Sequence, residues 1–137
     1  PREVTYLRVY LEKIQNVQGY QEILRAACRA ATPEGARKIL YEAQLAAEEI
    51  SRNPNYERVE IFSEGLALTD AGRLILITAY DYLDQSELGD QIILKTNQLK
   101  KERQRPQPEI WNGGKVTEEF LALASHQDIK VLSRLLF

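Results

Sequence analysis

The segment YERVEIFSEGLALTDAGR, residues 56–73, constrains the fold of this chain more than any other. Val59 and Ile61 alternate with Arg58 and Glu60, the period of two that suits a half-buried strand. Ser63-Glu64-Gly65 offers a tight turn in which glycine supplies the positive φ that a hairpin needs. A second apolar run closes on Leu68-Thr69-Asp70-Ala71-Gly72-Arg73, where Thr69 is placed to cap a following helix by accepting from a free backbone N–H.

Helical patterns flank this hairpin. Tyr6, Leu7, Tyr10, Leu11 and Ile14 form a stripe over Thr5–Gln15, and Ile23, Leu24, Ala27 and Cys28 form another over Tyr20–Ala31. Thr32-Pro33-Glu34-Gly35 is the clearest helix start, with a capping threonine, proline at the first helical position and an acid in the first turn. That helix runs to about Ile50, and Asn53-Pro54-Asn55 stops it. Leu74–Leu83 reads two ways. Ile75, Leu76, Ala79 and Leu83 share a helical face, whereas the β-branched run LILIT suits a strand; capping favours the helix. Ile92–Arg105 continues as a helix ended by Pro106, Trp111–Gly114 reads as a loop, and Thr117–Phe137 as one helix or two.

Helices, a hairpin and a helix straight after it give a mainly α fold with a small β-hairpin: a winged helix-turn-helix with additional C-terminal helices. Residues 1–90 form the winged-helix domain and 91–137 a helical extension suited to dimerisation. The size fits this, since 137 residues make one domain, or one with an appendage. No apolar run reaches the length of a membrane span, and no signal peptide is visible. Cys28 is the single cysteine, which fits a reducing, cytoplasmic setting.

The first three helices and the hairpin resemble the PadR-like winged-helix regulators over residues 6–83. The resemblance rests on Gly19-Tyr20-Gln21-Glu22-Ile23 at the entry to the second helix and on the Thr32-Pro33-Glu34-Gly35 turn. It also rests on Leu68-Thr69-Asp70-Ala71-Gly72-Arg73, which matches the wing-closing pattern Leu-Thr-x-Ala-Gly-Arg. The resemblance implies a dimeric transcriptional repressor whose terminal helices pair the subunits. Two departures accompany it: the turn carries Glu64 where DNA-touching wings usually carry Lys or Arg, and the third helix lacks the family's leucine-tyrosine-proline signature.

In that frame the helix from Thr32 to Ile50 is the recognition helix. Arg37, Tyr41 and Gln44 fall on one line at i, i+4 and i+7, and Arg and Gln can bond bidentately to guanine and adenine edges. Arg37, Lys38, Tyr41 and Gln44 are therefore the expected major-groove contacts, with Thr32 near a phosphate and Arg58 on the wing. The bland alternative is a solvated face with Arg37 or Lys38 pairing Glu34 or Glu42, and Arg58 paired with Glu60 or Glu57. The net charge of −2 opposes strong phosphate neutralisation, so a dimer that doubles the contacts is expected.

Asp81, Asp84, Glu87 and Asp90 lack the spacing of a calcium loop, and His126 has no partner for a zinc site or a triad, so no metal, cofactor or enzyme is expected. Tyr6, Tyr10 and the terminal Leu135-Leu136-Phe137 are the expected dimer surface. The expectation is a sequence-specific regulator bound to double-stranded DNA as a homodimer. The alternatives are a non-enzymatic protein-interaction module and, if Leu74–Leu83 is a strand, a helical and β-meander accessory or enzyme domain.

Overall fold

Leu74–Thr78 is the middle strand of a five-stranded sheet, not a helix. The protein is seen in a computed structural model that describes residues 8–12 and 15–133. Residues 8–12 are helical (α1), followed by α2 (Tyr20–Arg29) and α3 (Pro33–Arg52). Strands β1 (Arg58–Ile61), β2 (Leu66–Thr69) and β3 (Leu74–Thr78) form an antiparallel meander. Then come β4 (Tyr82–Leu83), α4 (Glu87–Arg103), β5 (Glu109–Asn112), β6 (Lys115–Val116), α5 (Glu118–His126) and β7 (Lys130–Ser133). The sheet order is β1-β2-β3-β5-β7, with β5 parallel to β3 and β7 parallel to β5, while β4 and β6 make a small parallel pair. Parallel neighbours need a crossover, and α4 and α5 provide the two that this sheet requires.

The winged-helix expectation is corrected by this sheet. The cause of the misreading is burial on both faces. Ile75 and Ile77 pack into a core with α2 and α3, whereas Leu74 and Leu76 pack into a second core with α4 and α5. A strand covered on both sides shows no polar alternation, so LILIT lacks the signature that marks a half-buried strand. β2 does the same, sending Leu66 and Leu68 to one core and Ala67 to the other. Each fully buried Leu or Ile contributes about 1.5–3 kcal/mol, so β3 is a main anchor of the fold.

Other local expectations also change. Thr69 ends β2 rather than capping a helix; Asp70 Oδ1 makes the turn instead, accepting from Gly72 N at 2.8 Å and Arg73 N at 2.6 Å. Trp111 and Asn112 lie in β5, not in a loop, and the C-terminal stretch splits into α5 and β7. Cys28 is exposed rather than packed. Tyr6 and Leu135-Leu136-Phe137, on which the dimer surface was read, lie outside the described residues.

The helix start at Thr32 follows the sequence: its hydroxyl accepts from Gly35 N at 3.1 Å, with Pro33 in the first turn. The helix does not stand clear of the core. Leu40, Ala43, Leu45, Ala46, Ala47 and Ile50 are buried with Val59, Leu68, Ile75 and Ile77 of the sheet. No helix among the described residues is long and apolar enough to cross a membrane.

Candidate functional site

Two charged residues lie where the apolar stripe of α3 would place aliphatic ones. Glu42 is three residues after Ile39 and four before Ala46, and Glu49 is two turns further on; both are buried. Glu42 lies near the carboxyl ends of β3 and β5, the side of a parallel sheet where ligands are usually bound.

Glu42 is 0% exposed. Lys38, one turn earlier, places its Nζ 2.6 Å from Glu42 Oε2, while Glu42 Oε1 has no hydrogen-bond partner. Burial pushes the Glu42 carboxyl up to about 7, and the Lys38 charge and hydrogen bond only partly offset that. Lys38 also lies over the Tyr80 ring, 4.9 Å from its centroid. The Tyr80 hydroxyl is raised above its ordinary value, chiefly by burial and against the pull of Lys38, and it donates to Glu64 O at 3.4 Å.

Asn112 at the end of β5 fixes the Tyr80 backbone. Its Oδ1 accepts from Thr78 Oγ1 at 2.8 Å and from Tyr80 N at 3.1 Å, and its Nδ2 donates to Tyr80 O at 3.0 Å and Lys115 O at 3.2 Å. All the polar capacity of this fully buried amide is used. Close approach at the same loop requires Gly114, since a Cβ there would sit 2.2 Å from Tyr80 O. A cation, a carboxyl poised near neutral pH and a phenol thus converge from α3 and the end of β3. The set is suited to proton transfer beside an anion.

The residues expected from sequence to contact DNA are distributed differently. Thr32 caps α3, Arg37 is exposed, and Tyr41 and Gln44 are half-buried on the same helix. Lys38 joins the cluster, bonded to Glu42 and lying over the Tyr80 ring. Arg58 lies on β1 with its side chain 45% exposed, 3.4 Å from Glu60 Oε2, and Glu60 is also gripped by Arg103 at 2.7 Å on each oxygen. Sequence reasoning missed Tyr80 and Asn112, and treated Glu42 only as a surface partner for Arg37 or Lys38. The available signal was a glutamate on the apolar stripe with a lysine four residues before it. Among the described residues no group of three or more His, Cys, Asp or Glu is placed to hold a metal ion.

No family model matches the chain, and no curated protein does. A solved structure, the crystal structure of a repair endonuclease from Pyrococcus abyssi, is similar over 69% of this chain at 16% identity and a TM-score of 0.47. The chain spans 46% of that protein's length. The regulator reading is corrected by the fold itself: α3 is packed on the sheet, and the hairpin is two strands of that sheet rather than a wing. The expectation of a chain without candidate acid–base residues is corrected by the geometry, which brings Lys38, the buried Glu42 and Tyr80 together.

Proposed function

We propose that this chain is an α/β hydrolytic unit acting on nucleic-acid phosphodiesters, with Glu42 as general base and Lys38 as the cation that meets the phosphate. The observation that carries the reading is Glu42: fully buried, bonded through one oxygen to Lys38, and with the other oxygen lacking a partner. A general base works best with a pKa near the working pH, and burial brings Glu42 to about 7. The Lys38 side chain is 22% exposed, so one ammonium can hold both the carboxylate and an incoming anion. Lys95 Nζ lies 3.9 Å from the Phe62 ring centroid, beside the β1–β2 turn, and adds a second cation suited to a polyanion. In the reaction the solvent-reaching Lys38 passes a proton to the buried Glu42 Oε2 and takes one from water, the water oxygen bonds to phosphorus and the ester P–O bond breaks. The leaving oxygen takes a proton from solvent, and Glu42 returns its own.

The test is cleavage of single-stranded, double-stranded and branched DNA and of RNA, with and without divalent cations, from about pH 5 to about pH 9. The rate is expected to rise tenfold per pH unit up to about 7 and then level off. Glu42→Gln is expected to lower it by about 10²–10⁴-fold while the fold is kept. Wild-type protein that cleaves none of these substrates, or a Glu42→Gln protein as active as wild type, overturns the reading.

A further inference from the structure

Between α2, the start of α3 and the β1–β2 turn lies an open cavity of about 400 Å³. Its walls are mostly apolar and small: Ala26 and Ala30 from α2 and its end, Ile39 from α3, and Ile61 and Phe62 from the hairpin. Lys38 is the one charged residue in this lining, and it is the same lysine that holds Glu42. The alanines explain the space, because longer side chains at the α2–α3 junction would fill it. A cavity of this size and polarity matches a small-molecule subsite, in which apolar walls hold a body and a few polar groups fix its orientation.

We infer that this cavity is a nucleotide subsite: it takes the base of a nucleotide whose phosphate meets Lys38. The inference rests on the hydrolytic reading above and names which part of the substrate the cavity holds. A flat heteroaromatic ring suits walls made of alanine methyls, Ile39 and Ile61, and the Ser63 hydroxyl at the rim offers a polar atom to a base edge. With Lys38 in the same lining, base and phosphate are held together, which sets the phosphate beside Glu42. The subsite reads shape and apolar contact, so discrimination among bases is weak.

The experiment follows the methyl signals of Ala26, Ala30 and Ala31 by NMR during titration with dAMP, deoxyadenosine and inorganic phosphate. dAMP is expected to shift these methyls with a millimolar dissociation constant, deoxyadenosine to do so at least tenfold more weakly, and inorganic phosphate to leave them in place. Ala26→Trp, which fills the cavity, and Ala31→Phe, at an exposed junction residue, are each expected to weaken dAMP binding at least tenfold with the circular dichroism spectrum unchanged. Alanine methyls that ignore dAMP, or a folded Ala31→Phe protein that binds dAMP as wild type does, overturn the subsite. The two readings fail separately: DNA cleavage that needs Glu42 yet is unaffected by Ala31→Phe sinks the subsite alone. dAMP binding in a protein that cleaves nothing sinks the hydrolytic reading alone.

Discussion

Glu42 and Glu49 lie on the same stripe of the same helix, about 10 Å apart along its axis, and both are buried. Their surroundings are opposite. Glu49 Oε2 accepts from Tyr56 Oη at 2.6 Å, Asn53 Nδ2 at 2.9 Å and Arg73 at 3.3 Å. Arg73 continues the network to Glu109 at 3.2 Å, whose other oxygen accepts from Trp111 Nε1 at 3.2 Å. Glu42 has Lys38 on one oxygen and nothing on the other. One carboxylate ties α3 to β3 and β5 as a structural joint. The other is left short of partners beside a solvent-reaching lysine, which is how working acids and bases are arranged. Buried charge alone therefore does not mark a functional site; the number of partners separates the two.

The largest expected effect breaks the joint. Glu49→Ala leaves the Tyr56 hydroxyl without its acceptor and Arg73 with Glu109 alone, and should cost about 3 kcal/mol of stability in chemical denaturation. Tyr56, raised well above the ordinary tyrosine value by burial and then by Glu49, should become easier to ionise in that variant. A loss no larger than that of an exposed glutamate would erase the contrast between the two sites.

A comparable effect, read as a slope, comes from Glu42. Its folded pKa of about 7 lies above the ordinary glutamate value of 4.5, so the native state holds the proton more tightly than the unfolded chain. The resulting stabilisation is fully present below about pH 4.5 and is lost as pH rises through about 7, an amplitude of about 3 kcal/mol. Glu42→Gln should flatten stability over that window and leave the protein no less stable at about pH 8, whereas Glu49→Ala is costly throughout. A slope that survives Glu42→Gln would mean another group carries it.

How much of this was legible beforehand differs by region. The start of α3 could be read at Thr32-Pro33 because capping is local chemistry, and the stop at Asn53 for the same reason. The β1–β2 hairpin was legible because β1 has one exposed edge and alternates in polarity. β3 was not, since burial on both faces removes the alternation, and β5 and β7 gain their strand character from pairing with it, which no local window contains. The site failed for a related reason. Glu42 and Lys38 were visible as an i, i+4 pair, but Tyr80 and Asn112 reach them only through sheet order, and burial, which turns an ordinary pair into a proton-transfer set, is a tertiary fact.

A smaller effect sharpens the Glu42 side. Lys38→Gln removes the one cation that draws the Glu42 pKa down, so that pKa should climb beyond about 7. Stability should then keep falling with pH past the point where the wild type has levelled, and any Glu42-dependent cleavage should shift its midpoint the same way. A midpoint moving to lower pH would reverse the assigned electrostatics.

The smallest effect concerns Arg58, which shows what an ion pair contributes when one partner is exposed and the other already held. Arg103 already holds both oxygens of Glu60 at 2.7 Å, so the 3.4 Å contact from Arg58 is redundant and its side chain is 45% exposed. Arg58→Ala should change stability by no more than about 0.5 kcal/mol, near the floor for exposed pairs. Arg103→Ala should cost more, because it leaves Glu60, on β1, with only the longer contact and frees the last turn of α4 from the sheet edge. Equal effects from the two arginines would show that solvent screening outweighs geometry at this edge, and the scale running from Glu49 through Glu42 to Glu60 would lose its outer end.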